Sequence, residues 1–125
     1  MSYLLDSHVL YWLRFGSPRI SPEIKQLLED SAELIYYSVV TPWKFSIKNA
    51  KGRLPLPDNF FTSLPTLGFS CLSIEEAHVD TLRTLPPHQH DPFDRMLVAQ
   101  AKAERLTLIT RDRSLSAYPI KTLIV

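Results

Sequence analysis

The sequence has few of the residues on which several kinds of binding site depend. Its single cysteine, Cys71, cannot form an internal disulfide, which favours a reducing compartment, and we expect this thiol to be buried. Only three glycines occur, and no glycine-rich phosphate loop is present. The four histidines do not have zinc-binding spacing with Cys71, so the sequence does not predict a zinc site.

Excess charge of one sign and long apolar runs are also absent. Fourteen basic and 13 acidic residues leave a formal net charge of +1, so any binding of nucleic acid must be local. No run reaches the roughly 18 apolar residues of a membrane span. The opening "MSYLLD" does not resemble a signal peptide. We therefore predict a single cytoplasmic domain over residues 1–125, without a membrane partner.

Short apolar runs alternate with segments that carry helix start signals. The apolar runs lie at residues 3–5, 34–37, 69–72, 107–109 and 121–125. The helix start signals are Ser21-Pro22, Thr41-Pro42, Ser73 before Glu75-Glu76, and Asp91-Pro92. This alternation predicts an α/β domain with a central, mainly parallel sheet of four to five strands.

Three aspartates follow this pattern at corresponding places. Asp6 ends the first apolar run, Asp112 lies three residues past Ile109, and Asp94 is in the first turn of the helix that begins at Asp91-Pro92. In a parallel sheet, these positions share the edge formed by the carboxyl ends of the strands. Three carboxylates there repel one another unless a cation lies between them, and Mg²⁺ or Mn²⁺ prefers oxygen ligands. Such a site is suited to phosphodiester hydrolysis.

Each acidic residue also has a structural explanation. Asp6 can cap a helix, Asp91 can be a cap or a first-turn charge, and Asp112 can be a turn residue in "TRDRS". A small basic cluster that includes Lys48 either follows an RNA backbone or is a solvated helix face. Taken singly, the structural roles are favoured. The expected convergence of the three aspartates at one edge favours a site.

Four segments resemble PIN-domain toxins of the VapC type: "YLLDSHVLYW", "SVVTPWKFSIKNAKGRLPLP", "HDPFDRMLVAQAKAERLTLITRD" and "YPIKTL". The resemblance runs from end to end of the chain. It implies a compact PIN-like α/β/α domain, usually dimeric. It also implies a type II toxin with Mg²⁺- or Mn²⁺-dependent endoribonuclease activity, commonly on transfer or ribosomal RNA, and neutralisation by a cognate antitoxin.

The same resemblance suggests roles for individual residues. It makes Asp6, Asp94 and Asp112 the catalytic metal ligands. Thr110 matches the small polar residue that often assists near the last of these aspartates. Apart from the resemblance, further candidates for assisting or substrate-binding roles are Ser7, Asp91, Arg95 and Lys48. An antitoxin has candidate contacts in Trp12, Phe15, Trp43 and Phe45, which core packing explains equally well.

Lys44 stands where this type of toxin usually has a glutamate on the third helix. An ammonium there brings no metal-binding oxygen. One possibility is that Lys44 pairs with Asp6 or Asp94 and partly replaces the cation, so that Asp94→Asn is expected to destabilise the fold. Another is that Lys44 extends outward and leaves a three-aspartate site that binds one ion weakly.

Three functions follow from these observations and stay open at the level of the sequence. The first is a metal-dependent ribonuclease that Lys44 impairs. The second is a PIN-fold module that binds RNA or an antitoxin without cleavage. The third is a small α/β ligand-binding domain in which the aspartates are incidental.

Overall fold

The computed structural model describes residues 1–30, 32–88 and 90–125. Within these residues the strands are β1 (Ser2–Leu5), β2 (Leu34–Ser38), β3 (Ser70–Leu72), β4 (Thr107–Thr110) and β5 (Thr122–Ile124). They form one sheet in the order β3-β2-β1-β4-β5, and every neighbouring pair is parallel. The predicted α/β class with a central parallel sheet is confirmed.

Six α-helices connect and cover these strands in the described ranges. They are α1 (Ser7–Arg14), α2 (Pro22–Glu29), α3 (Val40–Ala50), α4 (Phe60–Ser63), α5 (Glu76–Leu82) and α6 (Pro92–Glu104). The predicted starts of α2 and α6 are confirmed, because Ser21 Oγ and Asp91 Oδ1 each accept a backbone N–H from the first turn, at 3.3 and 2.7 Å. None of these helices is long and apolar enough to cross a membrane.

Two predicted helix caps are wrong. Thr41 lies inside α3 and is fully buried, and Ser38 Oγ instead accepts the N–H of the first residue of α3 at 3.1 Å. Ser73 does not cap α5, because Glu75 forms a reciprocal capping box with His78. Each of these helices begins within a few residues of the end of a strand, α3 after β2 and α5 after β3. The spacing of residues in the sequence does not show at which of these residues the helix begins.

The sheet is buried between two apolar clusters. Alternating residues of each inner strand point to opposite faces, so Leu5 and Ile109 belong to the cluster with α1 and α2. Leu4 and Leu108 belong to the cluster with α6. Each of these four side chains is fully buried and contributes about 1.5–3 kcal/mol to stability. Since helices cover both faces, the carboxyl edge of the sheet is where side chains from several elements meet.

Candidate functional site

The carboxyl edge of the sheet brings the predicted acidic residues into one neighbourhood. Asp6 directly follows β1, and its backbone N–H donates to the carbonyl of Ile109 in β4 at 2.9 Å. Asp112 follows the end of β4 by two residues. The chain runs from α6 into β4, so the first turn of α6, with Asp94, lies at this same edge.

Asp6 is a buried carboxylate held by neutral hydrogen-bond donors. It caps α1, and its Oδ1 accepts the backbone N–H of Ser7 at 2.7 Å. Its Oδ2 accepts the hydroxyl of Thr110 at 2.5 Å. The Ser7 hydroxyl lies 3.4 Å from the hydroxyl of Thr41 on α3. Both carboxylate oxygens of Asp6 are thus directed by β4 and by the start of α1.

Thr110 also links Asp6 to Asp112. Its hydroxyl oxygen accepts the backbone N–H of Asp112 at 3.0 Å. Asp112 Oδ1 accepts the hydroxyl of Ser114 at 2.5 Å and the backbone N–H of Ser114 at 3.0 Å. The Ser114 hydroxyl bond is the main reason that the pKa of Asp112 lies below its ordinary value, although partial burial acts in the opposite direction. Asp112 is therefore held as a carboxylate by a local turn.

Lys44 occupies the space between the two acidic residues at the start of α6. Its side chain is 11 % exposed, and Nζ lies 3.7 Å from Asp91 Oδ2 and 3.9 Å from Asp94 Oδ1. These separations are too long for direct hydrogen bonds, so the contacts are ion pairs through charge alone. The outward-extended alternative for Lys44 is wrong. The other alternative named Asp6 or Asp94 as the partner of Lys44. In the described residues, the partners of Lys44 are Asp94 and Asp91.

The pKa of Asp94 reflects its burial and the charges of its neighbours. Burial raises the pKa of Asp94 to about 6 from its ordinary 3.8. The charge of Lys44 opposes this shift, while Asp91, Asp6 and Asp112 add to it. The desolvation cost therefore exceeds the attraction of the ammonium. The effect of Asp6 and Asp112 on Asp94 also supports the predicted gathering of the three aspartates at one edge.

This gathering is not a ready ligand set for a divalent ion. Across residues 1–30, 32–88 and 90–125, no group of three or more His, Cys, Asp or Glu side chains is placed to hold a metal. The Lys44 ammonium lies beside Asp94, and the oxygens of Asp6 are taken by hydroxyl and backbone donors. As arranged, these residues do not fit a resident Mg²⁺ or Mn²⁺. The metal-binding role of Asp6, Asp94 and Asp112 stays a prediction.

The remaining candidates have different surroundings. Arg95 donates to the carbonyl of Pro86 at 2.8 Å and to the hydroxyl of Tyr118 at 3.1 Å, so it fastens the loop before α6 to the turn after β4. Lys48 lines a pocket of about 300 Å³ together with Lys44 and other residues of the basic cluster. A substrate-binding role stays a prediction for both residues.

One contributor to the site, Ser114, lacked a recognisable sequence signal, and the sequence placed His90 near Asp94 only as a substrate contact or a solvated loop residue. Ser114 begins no periodic pattern, yet both its hydroxyl and its backbone N–H donate to Asp112 Oδ1. The His90 ring is nearly buried, with Nε2 2.7 Å from Ser114 Oγ and Nδ1 3.1 Å from Tyr118 Oη. These contacts join residues 24 and 28 positions apart, and local spacing carries no information about them.

The structure decides between the two alternatives for Phe45 and corrects the expected burial of Cys71. Phe45 is 5 % exposed and packs edge-on against Tyr11 and Phe60, so core packing, one of the two alternatives, accounts for it. Cys71 is exposed, because β3 is an edge strand of the sheet. Trp43 and Phe15 keep exposed surface.

The fold and the acidic edge define a class of parallel α/β domains whose carboxylates meet at the carboxyl ends of the strands. The sequence matches the PIN domain family over residues 3–121. The chain therefore belongs to the PIN domain family.

Solved structures with the same fold include several toxin–antitoxin complexes. VapBC2 from Rickettsia felis, bound to a DNA fragment of its promoter, has a chain with a TM-score of 0.74 and 12% identity, covering 100% of this chain and 99% of that one. For DNA-bound VapBC from Salmonella typhimurium the TM-score is 0.73 and the identity 14%, and the match covers 99% of this chain and 98% of that one. For FitAcB from Neisseria gonorrhoeae the TM-score is 0.67 and the identity 21%, and the match covers 98% of this chain and 96% of that one. Identities this low show the shared fold. No curated protein matches the chain.

Proposed function

We propose that this chain is the toxin component of a type II toxin–antitoxin system. In this proposal it is a VapC-type endoribonuclease that depends on Mg²⁺ or Mn²⁺ to hydrolyse RNA phosphodiesters and is impaired by Lys44. Three findings support the proposal: membership of the PIN domain family, the fold shared with toxin–antitoxin complexes, and the carboxylates at one edge. The observation that carries the impairment is the pairing of Lys44 with Asp91 and Asp94.

The expected impairment follows from charge. Two unit charges about 4 Å apart interact with roughly 4 kcal/mol at an effective dielectric of 20, and a divalent ion near Lys44 would meet twice that repulsion before screening. The protonated ammonium has no lone pair for a metal. A cation can enter this side of the site only if Lys44 leaves Asp91 and Asp94.

The partners in this proposal are an RNA substrate of the transfer or ribosomal class, a cognate antitoxin and a second copy of the chain, in the cytoplasm. Exposed Phe15 and Trp43 support the antitoxin, since large exposed aromatic side chains are common anchors in protein interfaces. The basic cluster with Lys48 supports the RNA substrate.

A second candidate is a PIN-fold module that binds RNA or an antitoxin without cleavage. It is favoured by the absence of a preformed metal ligand group in the described ranges, together with the ammonium beside Asp94. The two candidates differ only in whether the carboxylates still bind a metal.

The test compares the native chain with Lys44→Glu. Thermal unfolding is followed while Mn²⁺ is added, and cleavage of a mixture of transfer and ribosomal RNA is measured with Mg²⁺ or EDTA. We expect Mn²⁺ to raise the unfolding temperature of Lys44→Glu more than that of the native chain. Metal-dependent cleavage is expected to rise at least about tenfold, because the variant removes the repulsion and adds an oxygen ligand.

Lys25→Glu is the matched control, since it makes the same charge change on α2, away from the acidic edge. Equal cleavage by the native chain and Lys44→Glu would show that Lys44 does not impair the site. A Lys44→Glu variant that neither responds to Mn²⁺ nor cleaves RNA would contradict the ribonuclease and leave the non-cleaving module.

A further inference from the structure

A pair of arginines converges on one tryptophan beside the acidic edge. Trp12 is on α1, Arg19 is in the loop that follows α1, and Arg111 follows β4. The guanidinium carbons of Arg19 and Arg111 lie 5.4 and 5.5 Å from the centroid of the Trp12 ring. Together with Val125, these three residues line a pocket of about 360 Å³.

The charges of the two arginines are not neutralised within the described part of the chain. Both side chains are exposed, and neither forms an ion pair with a carboxylate there. Among the described residues, no Asp or Glu side chain lines the pocket. A cation–π contact is worth about 0.5–1 kcal/mol at an exposed position, which positions each guanidinium but leaves its donors available. Two guanidinium groups that lie against one indole ring, without a carboxylate partner in the described ranges, form a positively charged site that is complementary to an anion.

The pocket adjoins the carboxylates. Arg111 lies between Thr110, whose hydroxyl donates to Asp6, and Asp112. An anionic polymer held at Arg111 therefore passes close to the acidic edge. A guanidinium forms paired hydrogen bonds with phosphate and also stacks on bases, and an indole ring is a stacking surface for bases.

We propose that Arg19, Trp12 and Arg111 form a subsite for a single-stranded RNA next to the acidic edge. The two arginines bind phosphodiester groups, and the Trp12–arginine stack offers a platform to a base. The inference rests on the proposed function for the choice of RNA as the polymer. It adds the residues that hold the strand outside the carboxylates.

The test measures binding of a fluorescent mixed-sequence RNA 12-mer by anisotropy, in EDTA, at several salt concentrations. The full chain is compared with Arg19→Gln/Arg111→Gln. We expect the double variant to bind at least about tenfold more weakly. Its salt dependence is expected to fall by about 0.7 in slope for each phosphate group that the variant no longer binds.

Arg105→Gln/Lys121→Gln is the matched control. It removes the same two charges from another exposed pocket, at the opposite edge of the sheet beside the first residues of β1 and β4. We expect it to bind nearly as well as the native chain. Circular dichroism and thermal unfolding verify that both double variants are folded.

The proposal is overturned if the native chain does not bind the RNA, or if Arg19→Gln/Arg111→Gln binds as well as the native chain. Equal losses in the two double variants would also overturn it, because they would show a general effect of charge. The proposal is also overturned if a DNA 12-mer of the same sequence binds as tightly as the RNA. Competition by an oligoglutamate that is as effective as unlabelled RNA would overturn it as well. Because binding is measured in EDTA, failure of Lys44→Glu to cleave RNA would contradict only the proposed activity.

Discussion

Asp6 and Asp94 lie at the same edge of the sheet, but the fold accommodates their charges in two different ways. Asp6 is 4 % exposed and accepts hydrogen bonds from the Thr110 hydroxyl and the Ser7 backbone. Asp94 has an ammonium 3.9 Å away, and burial still raises its pKa to about 6. Fixed neutral donors need no further charge in the interior, whereas a counter-ion such as Lys44 must itself be desolvated.

The comparison shows which half of the site depends on the fold and which depends on one side chain. The donors to Asp6 come from α1 and β4, which are set by the pairing of β1 with β4. The pKa of Asp94 is set first by burial and then by the opposing charge of Lys44, which one substitution can remove. Substitution of Lys44 is therefore expected to change the pKa of Asp94, whereas substitutions around Asp6 are expected to change mainly the stability of the fold.

The largest expected loss of stability comes from Asp6→Ala. It removes the helix-cap acceptor and leaves the Thr110 hydroxyl without its acceptor, at a cost of roughly 2–3 kcal/mol. Urea denaturation at pH 7 measures the effect. Asp6→Asn is the control, since it keeps a side-chain oxygen and is expected to cost less than about 1 kcal/mol. An Asp6→Ala chain as stable as the native one would show that these bonds do not hold Asp6.

Thr110→Val is expected to have the next largest effect, about 1–2 kcal/mol. Valine keeps the shape but loses both the bond donated to Asp6 and the bond accepted from the backbone of Asp112. Thr110→Ser retains the hydroxyl and serves as the control in the same denaturation experiment. If Thr110→Val and Thr110→Ser have the same free energy of unfolding, the hydrogen bond from the Thr110 hydroxyl does not stabilise Asp6.

Lys44→Met changes the other side of the comparison. Without Lys44 the pKa of Asp94 is expected to rise above about 6, because the charge that opposes the shift is gone. The free energy of unfolding should then fall between pH 5 and pH 8 by about 1 kcal/mol more than in the native chain, after discounting for solvent screening. Denaturation at several pH values tests this. An unchanged pH profile would mean that Lys44 does not act on Asp94, and Lys44→Met/Asp94→Asn should remove the additional slope.

Local signals account for the parts of the fold that the sequence predicts well. The caps at Ser21 and Asp91 lie within three residues of the groups they bind, so the sequence spacing is enough to predict them. The edge shared by Asp6 and Asp112 follows from the rule that parallel strands end at one side of a sheet. Both inferences need only the chain order of the elements.

The partners of individual side chains needed the folded chain. The choice of Asp91 over Asp6 as a partner of Lys44 depends on the directions of side chains on α3 and α6, which no spacing encodes. The contacts of His90 with Ser114 and Tyr118 likewise span loops without a periodic pattern. The sequence thus predicts which elements meet at the site, and the packing decides how their charges are paired.

Asp94→Asn is expected to have the smallest effect, and its sign differs from the expectation based on sequence. Lys44 is not stranded in this variant, because Asp91 lies 3.7 Å from its ammonium. The pKa of Asp94 rises on folding from 3.8 to about 6, so the stability that its protonation contributes is fully present below about pH 3.8 and is lost as the pH rises through about 6. Asparagine resembles the protonated form and does not lose this contribution. At pH 8 we therefore expect the free energy of unfolding of the variant to equal that of the native chain or exceed it by up to about 1 kcal/mol, with a flatter pH profile.

Asp91→Asn, which keeps a helix cap but removes the other partner of Lys44, is the control in the same series. A loss of more than about 1 kcal/mol in Asp94→Asn at pH 8 would show that the attraction between Lys44 and Asp94 outweighs the cost of burying the carboxylate.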